Sequence, residues 1–126
     1  NKIAHKMGLK KTKFSNPTGL SDPNNYSTAH DIALMVSFCM KNHLMGAFSR
    51  KKSTYVKLKI KNWPILGNYV LMKANRVEKY KQALVSNSDC IGVKTGITPG
   101  AGPCLSTAYR VMGRELIVVL LNSKSM

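Results

Sequence analysis

Strict alternation of apolar and polar residues is the sharpest local pattern in this chain. From Val56 to Lys61, valine, leucine and isoleucine alternate with three lysines, and Trp63-Pro64 follows. A period of two is typical of a strand that buries one face and leaves the other in water. The pattern therefore predicts a small β excursion near 53–62 whose lysines are solvated.

The C-terminal third carries three β-leaning runs joined by short turns. Their approximate ranges are 90–95, 104–111 and 114–121, with turns at 99–100 and 112–113. Tight connections join antiparallel neighbours, so the runs predict an antiparallel sheet of about three strands over 90–121. Six consecutive apolar residues, 116–121, are typical of a strand covered on both faces.

Helical periodicity marks the region near 27–48. Apolar residues recur at the spacing of one helix face, namely Ile32, Met35, Val36, Cys39 and Met40. Ser27 or Thr28 is expected to cap this helix, with Asp31 in its first turn, where the helix dipole favours an anion.

Further apolar residues predict how deeply this helix is buried, and the neighbouring patterns predict two more helices and a loop. Leu34 and Phe38 widen the apolar surface, so the helix is predicted to be mostly buried. Residues 43–49 predict a short second helix, and residues 1–9 the end of another, closed by Gly8. The Pro- and Asn-rich residues 15–25 between them predict an ordered loop.

The length of 126 residues suits one domain and is too short for two. No apolar run approaches the roughly 18 residues of a membrane span, and no leader segment is visible. Because the first residue is not methionine, we expect a single domain, 1–126, cut from a longer product.

Charge is the most unusual bulk property, since 20 Lys and Arg against five Asp and Glu give a net charge of +15. Such a surface attracts an anionic partner, whether an acidic protein, a lipid surface or RNA. The alternative is that the lysines merely solvate exposed faces. No cofactor or metal is expected, because His5, His30 and His43 lack partners at ligand spacing and the three cysteines show no Cys-x-x-Cys pair.

The candidate chemistry lies between Ile91 and Pro99, where a strand ends in a lysine, a hydroxyl and a glycine. The glycine would let a substrate backbone lie close to the strand edge. Lys94, with the hydroxyls of Thr95 and Thr98, would then hold an anionic group such as a carboxylate. The alternative interpretation is a strand end that happens to carry a lysine.

Three separated motifs resemble the serine D-alanyl-D-alanine carboxypeptidases, which are low-molecular-weight penicillin-binding proteins. The matching segments are 8–20 (Gly-Leu-Lys-Lys-Thr-Lys-Phe-Ser-Asn-Pro-Thr-Gly-Leu), 26–29 (Tyr-Ser-Thr-Ala) and 92–98 (Gly-Val-Lys-Thr-Gly-Ile-Thr), with Ala101-Gly102 and Cys104-Leu105. The resemblance covers nearly the whole chain in order. It implies an α/β architecture, part of the β-lactamase/transpeptidase-like fold, and makes 1–126 the C-terminal part of a larger catalytic domain.

The resemblance also implies a role for each residue of 94–98, the lysine strand. Lys94 would stabilise the terminal carboxylate of the substrate and supply positive potential near the proton-transfer path, while Thr95 and Thr98 would hydrogen-bond that carboxylate. The backbone N–H of Ile97 would be one of two oxyanion-hole donors. Gly96 would let a peptide ending in D-Ala-D-Ala add along the strand edge.

Two other motifs of that family have no convincing match in this chain. Ser-x-Asn occurs nowhere, and Ser-x-x-Lys occurs once, at 49–52. That match precedes a β-leaning segment instead of opening a helix, and so short a motif arises easily by chance. Ser49 is therefore given no catalytic role, and the chain is expected to lack the nucleophile and to be inactive alone.

Two functions stay open at this point. The chain is either a segment of an active carboxypeptidase that cleaves peptidoglycan stem peptides and binds penicillins, or an inactive homologue that serves a larger assembly through its basic surface. In both cases a partner chain or a missing N-terminal half should cover the open edge of the sheet. The resemblance implies an extracytoplasmic location, with an organelle such as the mitochondrion as the alternative.

Overall fold

A computed structural model describes residues 1–50, 55–58, 70–73, 84 and 86–124. The helices are α1 (Lys2–Lys6), α2 (Ala29–Met40) and α3 (His43–Ser49), and the strands are β1 (Tyr55–Leu58), β2 (Val70–Lys73), β3 (Cys90–Thr98), β4 (Gly102–Val111) and β5 (Arg114–Leu120). This α/β architecture confirms the predicted fold class. No helix in the described ranges is long and apolar enough to cross a bilayer.

The strands form two antiparallel sheets. β1 pairs with β2, and the larger sheet has the order β3-β4-β5. The predicted three-stranded antiparallel sheet is therefore confirmed, and β1 falls inside the predicted excursion near 53–62. The strand partner β2 was not predicted from the sequence. Residues 53–54 and 59–62 of the predicted excursion lie outside the described residues.

The helices also begin and end close to their predicted positions. The hydroxyl of Thr28 accepts the backbone N–H of Asp31 at 3.2 Å, so Thr28 is the cap of α2. α3 coincides with the predicted 43–49 helix. α1 ends at Lys6, and Gly8 follows with a φ of 77°, the left-handed conformation that glycine adopts without strain.

Close packing of α3, and of Met40 at the end of α2, against β3 depends on Gly92. A Cβ atom at this position would lie 2.7 Å from the hydroxyl oxygen of Ser49 and 2.9 Å from the terminal carbon of Met40. Gly92 pairs with Ala108 of β4, which is also buried. Two small residues side by side therefore let the helices approach one face of the sheet.

The opposite face of the sheet holds the most deeply buried group, the thiol of Cys90, which packs against Leu84, Leu105 and Tyr109. Residue alternation places Leu105 and Tyr109 of β4 on that same face. On this face of the sheet the described core is therefore a thin layer around Cys90, and Ala4 and Leu9 are buried separately near α1.

Two burial predictions are wrong. Side chains on one face of β5 remain about half exposed, namely Leu116, Val118 and Leu120, although the apolar run predicted cover on both faces. Among the described residues, β5 has only β4 as a strand neighbour and α2 on one side. α2 in turn exposes Phe38 and Leu34, since one of its faces packs on the sheet and nothing described covers the other.

Asp31 has a more specific role than the helix dipole alone suggested. Its carboxylate is buried and accepts the backbone N–H of Lys11 and the hydroxyl of Thr12, both at 2.7 Å. The hydrogen bond from Thr12 is the main cause that lowers the pKa of Asp31, and the bonds from Lys11 and His30 add to it against the opposing effect of burial. The start of α2 is thereby fastened to residues 11–12.

Replacing Gly92 by alanine should destabilise the protein by about 1–3 kcal/mol, because the added methyl overlaps Ser49 and Met40. Gly96 is the matched control in the same strand, since no described atom lies within 4 Å of its Cβ position and its φ is not positive. Urea unfolding of both variants measures the difference. Equal stability of Gly92→Ala and Gly96→Ala would contradict the packing role.

The lowered pKa of Asp31 predicts acid sensitivity. An unfolded aspartate titrates near about 3.9, so the stabilisation is present above that pH and is lost as the pH falls through the lower folded value. Asp31→Asn should flatten the pH dependence of the unfolding free energy between pH 7 and pH 2. Urea unfolding across this range measures the dependence, and an unchanged slope would show that another carboxylate causes it.

Candidate active site

The loop of residues 13–27 is built largely by its own side-chain amides. Lys13 and Tyr26 exchange two backbone hydrogen bonds of 2.9 and 3.1 Å. The amide of Asn25 accepts the N–H of Ser15 at 2.7 Å and donates to the carbonyl of Leu20 at 3.1 Å. These bonds give the 13–27 loop a fixed shape, which confirms the predicted ordered loop.

A single hydroxyl joins this loop to the larger sheet. The Ser21 hydroxyl donates to the hydroxyl oxygen of Thr98 at 2.8 Å, and the backbone N–H of Ala101 donates to the same oxygen at 3.1 Å. Thr98 thus connects the loop, the end of β3 and the following turn. The oxygen already accepts two hydrogen bonds, so only its own proton remains for a ligand.

The register of β3 and β4 determines which backbone groups face outward. Ile97 lies opposite Pro103, which has no N–H, and the carbonyl of Pro103 accepts from Ser123 at 2.9 Å on the far side of β4. Pro103 therefore directs no hydrogen bond toward β3, and its pair with Ile97 is of the non-hydrogen-bonded kind. The N–H and C=O of Ile97 consequently face the outer edge of β3, where no described strand pairs with them.

The same alternation turns the backbone of Thr95 outward. The exposed ammonium group of Lys94 donates to the carbonyl of Thr95, so this side chain curls over the outer edge of the strand. Neither of the two ion pairs found among the described side chains involves Lys94. The positive charge at this edge is therefore not neutralised by a described carboxylate.

All the predicted site residues lie on β3, but their side chains point to two different faces of the sheet. Lys94, Gly96 and Thr98 alternate onto the face that the helices cover, and Thr95 and Ile97 onto the other. Space for a Cβ exists at Gly96, since no described atom lies within 4 Å of that position. Neither packing nor a positive φ therefore requires glycine at 96.

A groove of about 690 Å³ runs between the 13–27 loop and the end of β3. Its walls include Phe14, Leu20, Ser21, Tyr26, Ile97 and Thr98. The groove does not include Lys94 or Thr95, which lie further toward the start of the strand. Sequence reasoning missed the loop side of this groove, because the pattern of prolines, glycines and asparagines indicates order but not where a loop docks.

Ser49, the serine of the only Ser-x-x-Lys match, packs on β3 at Gly92 and does not line the groove. Its hydroxyl donates to the carbonyl of Gly46 at 3.2 Å inside the last turn of α3 and faces the backbone of Gly92. Ser49 therefore serves to pack α3 against β3.

Comparison with known proteins places these features in one family. The model of the D-alanyl-D-alanine carboxypeptidase family matches residues 1–125. The D-alanyl-D-alanine carboxypeptidase DacF of Bacillus subtilis is 30% identical over 99% of this chain, which spans 29% of that protein. The D-alanyl-D-alanine carboxypeptidase of Streptomyces sp. strain K15 is 31% identical over 99% of the chain, which spans 41% of its length.

Solved structures agree with this assignment. The Streptomyces K15 DD-transpeptidase superposes with a TM-score of 0.80 at 30% identity over 99% of this chain and 45% of that structure. The chain belongs to the D-alanyl-D-alanine carboxypeptidase family and shares its fold. It spans less than half the length of these relatives.

Removing the Ser21 hydroxyl should loosen the 13–27 loop, because the loop loses its bond to Thr98. A hydrogen bond of about 0.5–1.5 kcal/mol predicts that Ser21→Ala raises amide hydrogen exchange of residues 18–22 by roughly three- to tenfold. Ser37→Ala, on α2, is the control and should leave those amides unchanged. Equal exchange in the two variants would mean that the bond does not hold the loop.

Proposed function

We propose that this chain supplies the carboxylate-binding and oxyanion elements of a serine-type D-Ala-D-Ala carboxypeptidase that acts on peptidoglycan stem peptides and binds penicillins. The observation that carries the proposal is the open edge of β3. There the outward N–H of Ile97 lies close in sequence to Lys94, which pairs with no described carboxylate, and to Gly96, whose side-chain space no described atom occupies.

A peptide adding to this edge would run antiparallel to β3 and use its outward backbone groups. Its terminal carboxylate would lie at the ammonium of Lys94, in exchange for the bond that Lys94 now makes to Thr95. The hydroxyl of Thr95 would hydrogen-bond the same carboxylate. Gly96 projects no side chain from the helix-covered face of β3 beside the bound peptide, which gives this glycine a function.

Thr98 keeps a smaller part in carboxylate binding. Two hydrogen bonds accepted from Ser21 and Ala101 fix its oxygen, and it lies on the opposite strand face from Thr95. Its one remaining proton is available to the substrate, while its accepted bonds position the loop.

In the proposed reaction a serine hydroxyl attacks the carbonyl of the penultimate D-alanine and the terminal D-alanine leaves. Water then hydrolyses the acyl-enzyme. The N–H of Ile97 would stabilise the oxyanion, a contribution of about 10²–10³ in rate for one donor. The attacking serine is assigned to upstream sequence or to a separate chain, and not to Ser49.

The alternative function, an inactive subunit of a larger assembly, gains no support from the family and structural matches, and no described contact specifies an acidic protein, lipid or RNA partner. One part of it is retained as a proposal. The half-exposed Leu116, Val118 and Leu120 of β5 favour cover by further polypeptide, because an apolar sheet face in water invites association.

The complete protein should become covalently labelled by a fluorescent penicillin and should release D-alanine from a D-Ala-D-Ala peptide. Lys94→Ala should lower kcat/KM by about 100-fold, whereas Lys41→Ala, an exposed lysine after α2, should leave it unchanged. Labelling on a gel and D-alanine release provide the two measurements. Absence of labelling in the folded complete protein, or equal activity of the two variants, would contradict the proposal.

A further inference from the structure

We infer that the basic surface formed by residues 1–13 holds the polymer that carries the substrate peptides, and so directs the enzyme to polymeric peptidoglycan in preference to free peptides. This basic surface comprises six exposed side chains, namely Lys2, His5, Lys6, Lys10, Lys11 and Lys13. The inference rests on the proposed function, because the polymer is the one whose stem peptides end in D-Ala-D-Ala. It assigns a partner to positive charge that the reaction itself does not use.

The short helix α1 brings three of these side chains together. Residues three and four positions apart share a helix face, so Lys2 lies beside His5 and Lys6. Ala4 is buried on the other side of the helix. The basic face of α1 therefore points away from the packed interior.

A second concavity, of about 620 Å³, continues the basic surface. Its walls include His5, Lys10 and Lys13, with Thr12 and Tyr26, and none of the described side chains that line it is acidic. Lys13 and Tyr26 also line the groove at the end of β3. The basic concavity therefore adjoins that groove across the Lys13–Tyr26 bridge, and a single polymer can reach both.

No described carboxylate pairs with the charges of this surface. Neither of the two ion pairs found among the described side chains includes a residue of 1–13, and the sequence has no Asp or Glu within residues 1–21. Asp31 contacts the segment, but its carboxylate is buried and accepts two hydrogen bonds from residues 11–12. The exposed ammonium groups therefore attract anions from solvent, and salt weakens this attraction.

The backbone that carries these lysines is fixed. The side-chain amide of Asn1 donates to the carbonyl of Phe14 and accepts its N–H, both at 2.8 Å. The buried Asp31 holds the stretch between them, and the ammonium of Lys13 donates to the neutral amide of Asn24 at 3.4 Å. Binding to such a preorganised segment costs little conformational entropy in its backbone.

The proposed substrate supplies the complementary charge. Each uncross-linked stem peptide ends in a carboxylate both before and after its terminal D-alanine leaves, so the polymer carries anions at repeated positions. One peptide end would lie at Lys94 while carboxylates of neighbouring stem peptides meet the basic surface, and several weak contacts then act together. A concave site beside the groove suits a flexible chain better than the flat surface of a membrane.

The test compares two substrates of the complete protein, soluble uncross-linked peptidoglycan strands and the short peptide acetyl-alanyl-D-Ala-D-Ala. The combined variant Lys2→Gln, Lys6→Gln and Lys10→Gln should lower kcat/KM for the strands by roughly tenfold. The loss should appear in KM, because the contacts are made equally before and during the reaction. The short peptide should be cleaved as before. Lys13 is kept, since it also lines the groove at β3.

The matched control removes the same charge elsewhere. Lys41→Gln, Arg114→Gln and Lys124→Gln together replace three exposed residues that line neither the groove nor the basic concavity. This control should keep the ratio of kcat/KM for strands to that for the short peptide at the value of the unmodified protein.

Binding is measured separately, by sedimentation with insoluble peptidoglycan before and after its carboxylates are converted to amides. The unmodified protein should sediment with the native polymer at about 0.05 M salt and be released at about 0.5 M. The amidated polymer should retain much less of it. The native polymer should likewise retain much less of the Lys2, Lys6 and Lys10 variant.

The outcomes separate this inference from the proposed function. An unchanged ratio of kcat/KM in the Lys2, Lys6 and Lys10 variant overturns the polymer site and leaves the function standing. Salt-sensitive sedimentation that is lost only in this variant, with no D-alanine released from either substrate, supports the polymer site and overturns the function. Equal sedimentation with native and amidated polymer, or binding of anionic vesicles or RNA but not of the polymer, overturns the inference. Neither sedimentation nor hydrolysis overturns both.

Discussion

The candidate site depends on the open edge of β3. This strand pairs with β4 along one edge, and no described strand pairs with its other edge. Pro103 of β4 lies opposite Ile97 and has no N–H to donate to it. The N–H and C=O of Ile97 therefore point to the outer edge of β3. Two glycines on the same strand then do opposite things. Gly92 admits Ser49 and Met40 from the helices, whereas no described atom fills the space of a side chain at Gly96, near the edge where a peptide would bind.

Much of this arrangement could be predicted from the sequence because it depends on local rules. The turn at 112–113, the hydroxyl cap of α2 and the lysine strand are decided by neighbouring residues. Burial could not be predicted in the same way, since the exposure of Phe38 and Leu116 depends on what packs against them. The contact between Ser21 and Thr98 joins residues 77 positions apart. Sequence periodicity predicts local elements and cannot predict a contact between such distant residues.

Separate hydrogen bonds along the chain support the site. The buried carboxylate of Asp31 holds residues 11–12, Asn25 closes the adjoining loop on itself, and Ser21 joins the loop to Thr98. One of the few acidic residues of this very basic protein therefore holds the segment that leads into the 13–27 loop. Lys94, in contrast, pairs with no carboxylate in the described ranges, and exposed charges of this kind act over about 8–10 Å at 0.10–0.15 M salt.

Amide hydrogen exchange along β3 tests the central claim most directly, measured with and without a peptide ending in D-Ala-D-Ala. We expect the amides of Gly96 and Thr98, which face β4, to be protected in both states. The amide of Ile97 should exchange quickly in the free protein and become protected only when the peptide binds. Protection of Ile97 before the peptide is added, or no change afterwards, would contradict the account.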